Sequence, residues 1–143
     1  MNKEIVIIDK TRICELDESF FKIINLLDKF NNRLFFEYSS LIDSIELLKK
    51  YIHEHMQIEE KYMHFYNYSD ITFHQTLHRV FEKEINHIHD DFIENGNFTK
   101  FKLKIIDFVQ SWHFHHISHE DVKFIQFMKS ISIPTKLVFE SIN

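Results

Sequence analysis

A single glycine and a single proline in a chain of 143 residues limit the folds that this sequence can adopt. Sheet sandwiches and barrels need many tight turns, and turns rely heavily on these two residue types. Apolar residues make up 44% of the chain and aromatic residues 15%, mostly phenylalanine, which is enough to build a packed core. The composition therefore favours an all-α fold and argues against an all-β fold.

Apolar side chains recur at helical spacing in four segments separated by short polar connections. Short connections join antiparallel neighbours, so we predict one domain with an up-down-up-down antiparallel four-helix bundle. We expect Asp17 to cap the first helix and Thr99 the fourth. Ser39 or Ser40 is expected to cap the second helix, and Gly96 suits the end of the third. The predicted helices span residues 17–38, 41–65, 71–94 and 99–128 of a domain covering 1–143, with an N-terminal arm over 1–16 and a C-terminal tail over 129–143.

The charge and hydropathy patterns narrow the range of partners. A net charge of −5 with no strong basic run argues against binding to nucleic acid. No uninterrupted apolar stretch reaches the length of a membrane span, and the apolar run at residues 5–8 is too short for a signal segment. Cys14 is the only cysteine, which excludes a disulfide framework and a thiolate metal site. We therefore expect a cytoplasmic protein without a nucleic-acid or membrane partner, and the oligomeric state stays open.

Histidines and carboxylates recur at spacings that suit a buried metal. His55 and Glu59 are four residues apart, as are His74 and His78, so each pair shares one face of a helix. These faces coincide with the apolar stripes and therefore point into the bundle, where imidazole and carboxylate groups can hold a metal. A hydrogen-bonded polar core without metal is the alternative, although burying such a network dry is costly.

The fourth helix carries a less regular pair, because Asp121 follows His116 by five residues. An ideal α-helix would turn Asp121 away from the inward face, at about 140° from His116. We predict a local widening of the helix over residues 115–122, since single π-turns often occur at functional sites. Glu120 is the alternative with better α-helical phase.

The heights of these residues in the bundle agree with one another. In an up-down bundle each loop relates positions at equal height on the two helices that it joins. By this reflection, position 59 on the second helix lies opposite about 76 on the third, and 76 lies opposite about 116 on the fourth. On the first helix the same level falls at about position 20. All three pairs are therefore expected in one layer.

The motifs resemble those of the hemerythrin family, specifically its single-domain bacterial form. The resemblance covers roughly residues 13–125 and rests on the combination of motifs, since each alone is weak. The motifs are L-D-E-S at Leu16–Ser19, H-x-x-x-E-E-x-x-M at His55–Met63, H-x-x-x-H at His74–His78 and W-x-x-x-H-I-x-x-x-D at Trp112–Asp121.

This resemblance implies a protein that binds dioxygen at two non-haem irons inside the bundle. Carried over motif by motif, one iron would be held by the three histidines His74, His78 and His116. The other iron would be held by His55, with Glu59 and Asp121 bridging both. Nitrogen and oxygen donors without sulfur suit iron among the first-row metals, and zinc or manganese could compete.

One family ligand is missing from the sequence. The family supplies a further histidine from its first helix, and Phe20 stands at that position here. The second iron would then keep one histidine and the two carboxylates. Three outcomes follow, namely a weakened two-metal site, a site for a single metal, or a substitute ligand from His119, Glu120 or His113.

Three functions are consistent with the sequence. The first is reversible or sensory dioxygen binding. The second is enzymatic, because a non-haem iron with open positions can act on peroxide, oxygen or nitric oxide. The third is a degenerate module that holds zinc, one iron or nothing and acts through partner contacts. No nucleophile-base constellation or glycine-rich phosphate loop supports catalysis, so the first function is preferred.

Overall fold

The computed structural model describes residues 14–31 and 38–131, and every regular element in these ranges is helical. The first two helices are α1 (Cys14–Asn31) and α2 (Tyr38–Phe65). The third is α3 (Ile71–Asn95). The remaining elements follow one another without a break and form one rod, made of α4 (Phe98–Ser111), the π segment (Trp112–Asp121) and α5 (Val122–Ser130).

The four helical rods pack as a bundle. Each of α1, α2 and α3 contacts the next rod along the chain, and α1 also contacts α4, which closes the ring. This arrangement confirms the predicted all-α four-helix bundle. Among the described residues, no helix has both the length and the apolar character required to cross a bilayer.

Several predicted helix ends need correction. The first helix begins at Cys14, so Asp17 lies within its first turn and does not cap it. Tyr38 already belongs to α2, so residue 38 does not end the first helix. Ser39 and Ser40 therefore lie inside α2 as well. Serine is tolerated there because the first N–H groups of a helix have no intrahelical acceptor to lose.

The connection between the third and fourth helices is well defined. Gly96 adopts a left-handed conformation with φ of 64°, and its N–H donates to the Phe92 carbonyl, as expected for a residue ending a helix. Asn97, rather than the predicted Thr99, caps α4, because its side chain accepts a hydrogen bond from the Lys100 N–H at 3.0 Å. Thr99 consequently lies within α4.

Two apolar clusters fill the bundle interior, and polar residues lie between them. The larger cluster contains Ile52 and Phe81, and the smaller contains Tyr62 and Phe124. On α2, Glu59 lies between Ile52 and Tyr62 along the helix, and it is fully buried. The bundle therefore contains a polar layer enclosed above and below by apolar side chains.

Candidate metal centre

Five potential metal ligands from three rods meet in this layer. Each offers an imidazole nitrogen or a carboxylate oxygen, all five are buried, and these atoms lie within 4.8 Å of one another. The imidazole rings form a compact triangle, with centroids 4.5 to 4.9 Å apart. The group consists of Glu59, His74, His78, His116 and Asp121.

The carboxylate of Asp121 faces two sets of histidines. Its Oδ1 atom lies 3.2 Å from Nε2 of His74 and 3.0 Å from Nε2 of His116. Its Oδ2 atom lies 3.2 Å from Nε2 of His55, which is also fully buried. A carboxylate with one oxygen on each side is suited to span two neighbouring cation positions.

Glu59 contacts three of the histidines through a single oxygen. Its Oε2 atom is 3.0 Å from Nε2 of His74, 3.2 Å from Nε2 of His78 and 3.5 Å from Nε2 of His55. Its Oε1 atom is buried and makes no hydrogen bond among the described residues. The two carboxylates thus contact all four histidines between them.

The π segment brings Asp121 into this group. Trp112–Asp121 is π-helical, which confirms the predicted widening and places residues five apart on one face. His116 and Asp121 are both buried as a result. Glu120, the alternative to Asp121, instead accepts a hydrogen bond from Lys123 at 3.1 Å.

The spacing of these nitrogen and oxygen atoms suits coordination of a metal better than hydrogen bonding among the atoms themselves. Bonds of about 2.1 Å from nitrogen or oxygen to a metal place neighbouring donors about 3 Å apart, as these atoms are. At such separations polar atoms would normally form hydrogen bonds, yet six buried atoms of these five residues make none among the described residues. Three of the six lie at the short contacts just described, namely His78 Nε2, His116 Nε2 and Asp121 Oδ1.

The cluster carries strong internal charge interactions. Burial and the Asp121 charge raise the pKa of Glu59, but the His55 charge and the close contacts with His74 and His78 outweigh them and lower it to about 2. Burial lowers the pKa of His74, but its close contacts with Asp121 and Glu59 outweigh this effect and raise the pKa to about 10. A metal must therefore displace a proton that both carboxylates hold on His74.

Two outer partners of the histidines were not identified from the sequence. The Nδ1–H of His78 donates to Glu60 Oε1 at 2.7 Å, and Gln75 Nε2 donates to Glu60 Oε2 at 3.1 Å. The height reflection that pairs position 59 with 76 also pairs 60 with 75, so the contact between Glu60 and Gln75 could have been predicted from the sequence. Ser19 Oγ lies 2.9 Å from His55 Nδ1 and had no such signal.

Phe20 lies beside His55 in the structure. The ring centroids are 4.4 Å apart in an edge-on arrangement, and Phe20 is buried. Position 20 thus reaches the metal-ligand layer, as the reflection predicted, and presents an aromatic ring there. An aromatic hydrocarbon offers no donor atom to a metal.

The three suggested substitute ligands lie outside the group of five. The exposed His119 donates from Nδ1 to the Phe114 carbonyl at 2.7 Å. His113 is half-buried, and burial lowers its pKa. Glu120 pairs with Lys123, as described above. A substitute ligand from these three residues therefore stays a prediction.

A protein-family model described as the hemerythrin HHE cation binding domain matches residues 15–127. The chain belongs to the hemerythrin family. Searches of curated proteins and of solved structures found no match. The five residues of the buried cluster and His55 all lie within the part of the chain that this hemerythrin match covers. The cluster is therefore consistent with the cation binding that the family description names.

The pH dependence of stability can test these charge interactions in the metal-free hemerythrin domain. Because the pKa of His74 is raised, its protonation stabilises the fold fully at pH values below the ordinary histidine pKa of 6.5. This contribution is lost as the pH rises through about 10. Glu59, with its lowered pKa, contributes above its ordinary value of 4.5 and loses this contribution as pH falls through about 2. Urea midpoints of the chelated protein should therefore be highest between pH 4.5 and 6.5. A maximum on the alkaline side of pH 8 would contradict the assignment.

Proposed function

We propose that this hemerythrin-family protein is a non-haem iron protein that binds dioxygen, for storage, transport or sensing, at a carboxylate-bridged pair of irons. The observation that carries the proposal is the Asp121 carboxylate, whose two oxygens face His74 and His116 on one side and His55 on the other. A site for one metal does not need a carboxylate that faces both ways. When bound, ferrous iron supplies the electrons that dioxygen binding at such a site requires.

The donors divide unequally between two metal positions. His74, His78 and His116 would hold the first iron, and His55 would hold the second. Glu59 and Asp121 would bridge the two. Imidazole and carboxylate without sulfur suit iron, with zinc as the main competitor. In this arrangement the second position keeps coordination sites for dioxygen or another small ligand.

The surroundings of His55 favour a small apolar ligand. Phe20 contacts one side of the imidazole, and the fully buried Trp112 lies edge-on to it with a centroid distance of 6.3 Å. These rings help to keep bulk water from the fully buried His55 imidazole, and a dry pocket of this kind would favour dioxygen over water as a ligand. The net charge of −5 gives no support for a nucleic-acid partner, and the single cysteine suits the reducing cytoplasm in which we propose that the protein acts.

The first experiment is metal stoichiometry with an ultraviolet-visible spectrum. Protein purified with iron available would be assayed for metal per chain, and spectra would be recorded anaerobically and after oxygen is admitted. The proposal expects close to two irons per chain and a charge-transfer band that appears with oxygen and disappears when oxygen is removed. One metal or none, with no such band, would exclude it.

The alternative is a site for one metal, or an iron enzyme acting on peroxide, oxygen or nitric oxide. His55 is not among the five residues whose ligand atoms lie closest together, and this observation favours a site for a single metal. Turnover separates the candidates. Consumption of oxygen or peroxide well beyond the iron content indicates an enzyme, whereas uptake of at most one molecule per site indicates a binding protein.

Restoring a histidine at position 20 tests whether Phe20 weakens the second metal position. We expect Phe20→His to slow loss of the second iron to a chelator by at least about tenfold. Residues that only hydrogen-bond to a metal ligand already change metal affinity by about this factor, and a direct ligand should have no smaller effect. The lifetime of the oxygenated form should rise as well. Phe21→His is the matched control, since Phe21 is 50% exposed and points away from the cluster. Equal retention of iron in Phe20→His and wild type would show that a nitrogen ligand at this position does not help.

A further inference from the structure

Ser19 is a buried residue of α1 that contacts a proposed metal ligand directly. Its side chain is only 7% exposed. The hydroxyl donates to the Leu16 carbonyl at 2.8 Å, and the same oxygen lies 2.9 Å from Nδ1 of His55. Ser19 thus joins α1 to α2 at the level of the cluster.

These two contacts determine which ring nitrogen of His55 carries hydrogen. A hydroxyl has one hydrogen, and that of Ser19 is used on the Leu16 carbonyl. Its oxygen can therefore only accept from His55, so Nδ1 carries the hydrogen. The other nitrogen, Nε2, faces Asp121 Oδ2 at 3.2 Å and donates to it in the metal-free protein, so displacing this one hydrogen turns the Nε2 lone pair toward a metal.

The other histidines of the cluster are supported differently. His78 donates from Nδ1 to the carboxylate of Glu60. The Nδ1 atoms of His74 and His116 make no hydrogen bond among the described residues. Ser19 therefore acts on one histidine only, and that histidine is the sole nitrogen donor proposed for the second metal.

We infer that Ser19 is a positioning residue, which fixes the tautomer and ring orientation of His55 and so controls affinity for the second metal. This inference rests on the proposed two-metal function. It also gives α1 a part in the site although the helix provides no direct ligand, because Ser19 orients the imidazole and Phe20 packs against it. Partners of this kind change metal affinity by about 10- to 100-fold.

The test compares Ser19→Ala with Ser19→Thr in the full-length protein. Alanine removes the acceptor, whereas threonine keeps it. Threonine is the conservative choice because it retains the hydroxyl, and Ser19 lines a partly open pocket of about 120 Å³ between α1 and α2. Glu60→Gln is the matched control, since Glu60 supports His78 of the first metal position.

Anaerobic titration of the metal-free variants with ferrous iron should show two binding steps. We expect Ser19→Ala to weaken the second step by about 10-fold or more and the first step by less than about 2-fold, with Ser19→Thr close to wild type. Glu60→Gln should weaken the first step. Equal weakening of both steps by Ser19→Ala would mean a general structural role and overturn the inference, as would an unchanged second step.

A second readout does not depend on metal. Proton–nitrogen NMR of the metal-free protein should detect the Nδ1 hydrogen of His55 as a hydrogen-bonded, slowly exchanging signal in wild type and Ser19→Thr, and Ser19→Ala should lose this signal. The same signal in all three proteins would overturn the inference. Wild-type protein that binds only one metal would overturn the two-iron function, whereas an Nδ1 signal that still depends on the hydroxyl would support the orientation of His55 by Ser19.

Discussion

Saturating metal is expected to raise the free energy of unfolding by about 4 kcal/mol when free metal is about 1,000 times its dissociation constant. The reason is that the ligands come from three separate rods and meet only in the folded bundle. An unfolded chain presents the same groups far apart and binds much more weakly, so the binding free energy adds to folding stability. Urea unfolding at increasing free zinc, which undergoes no redox change, measures this effect as a logarithmic rise in stability.

Two variants on α3 make this experiment specific. His74→Ala removes a donor that lies 3.0 Å from Glu59 Oε2 and 3.2 Å from Asp121 Oδ1, and it should lose most of the metal-dependent stabilisation. His87→Ala removes an exposed histidine from the same helix and should retain all of it. If zinc bound stoichiometrically but did not shift the urea midpoint of the wild type, the metal would have to lie outside the bundle interior.

The helices and the ligand layer could be predicted because both depend on local periodicity. The stripes that define α2 and α3 carry His55, Glu59, His74 and His78 at the same phase as the core residues, so their burial followed from spacing alone. The widening at the π segment was also predictable, because His116 and Asp121 could share one face only if the helix departed from α geometry.

The features that sequence reasoning missed depend on tertiary contacts. Ser19 meets His55 across 36 positions of sequence, and a serine inside an amphipathic helix has no distinctive pattern. Glu60 follows Glu59 on α2 and lies further around the helix, but His78 reaches it from α3 through Nδ1 rather than through Nε2. An imidazole can contact one carboxylate through Nδ1 and another through Nε2, and the helical phase of the histidine does not reveal the second partner.

The start of α2 was missed for a different reason. The sequence predicts Ser39 or Ser40 as the cap, whereas both residues lie inside α2 (Tyr38–Phe65). Capping residues and residues of the first turn are chemically alike, because both positions lie where backbone N–H groups lack intrahelical acceptors. Local composition therefore locates such a boundary to within only about two residues.

Asp121→Asn is expected to cause the largest loss of metal. The amide keeps one oxygen and gains a donor group, so it cannot offer an oxygen both to the His74 and His116 side and to the His55 side. We expect metal content to fall from two to at most one per chain, and affinity for the remaining metal to fall by more than about 100-fold, exceeding the usual effect of an outer partner. Metal analysis after dialysis, with competition against a chelator of known affinity, measures both quantities.

The same substitution should also destabilise the metal-free protein. Burial of Asp121 raises its pKa, but the His116 charge and close contacts with three histidines outweigh this effect and hold the pKa well below the ordinary range. Removing one partner of a buried charge network costs about 3 kcal/mol or more, because the histidines lose their counter-charge. Glu120→Gln is the neighbouring control, since Glu120 contacts Lys123 and should leave both metal content and stability nearly unchanged. Loss of a metal in Glu120→Gln with full retention in Asp121→Asn would assign the bridge to Glu120, and the π segment would then have no role in placing a ligand.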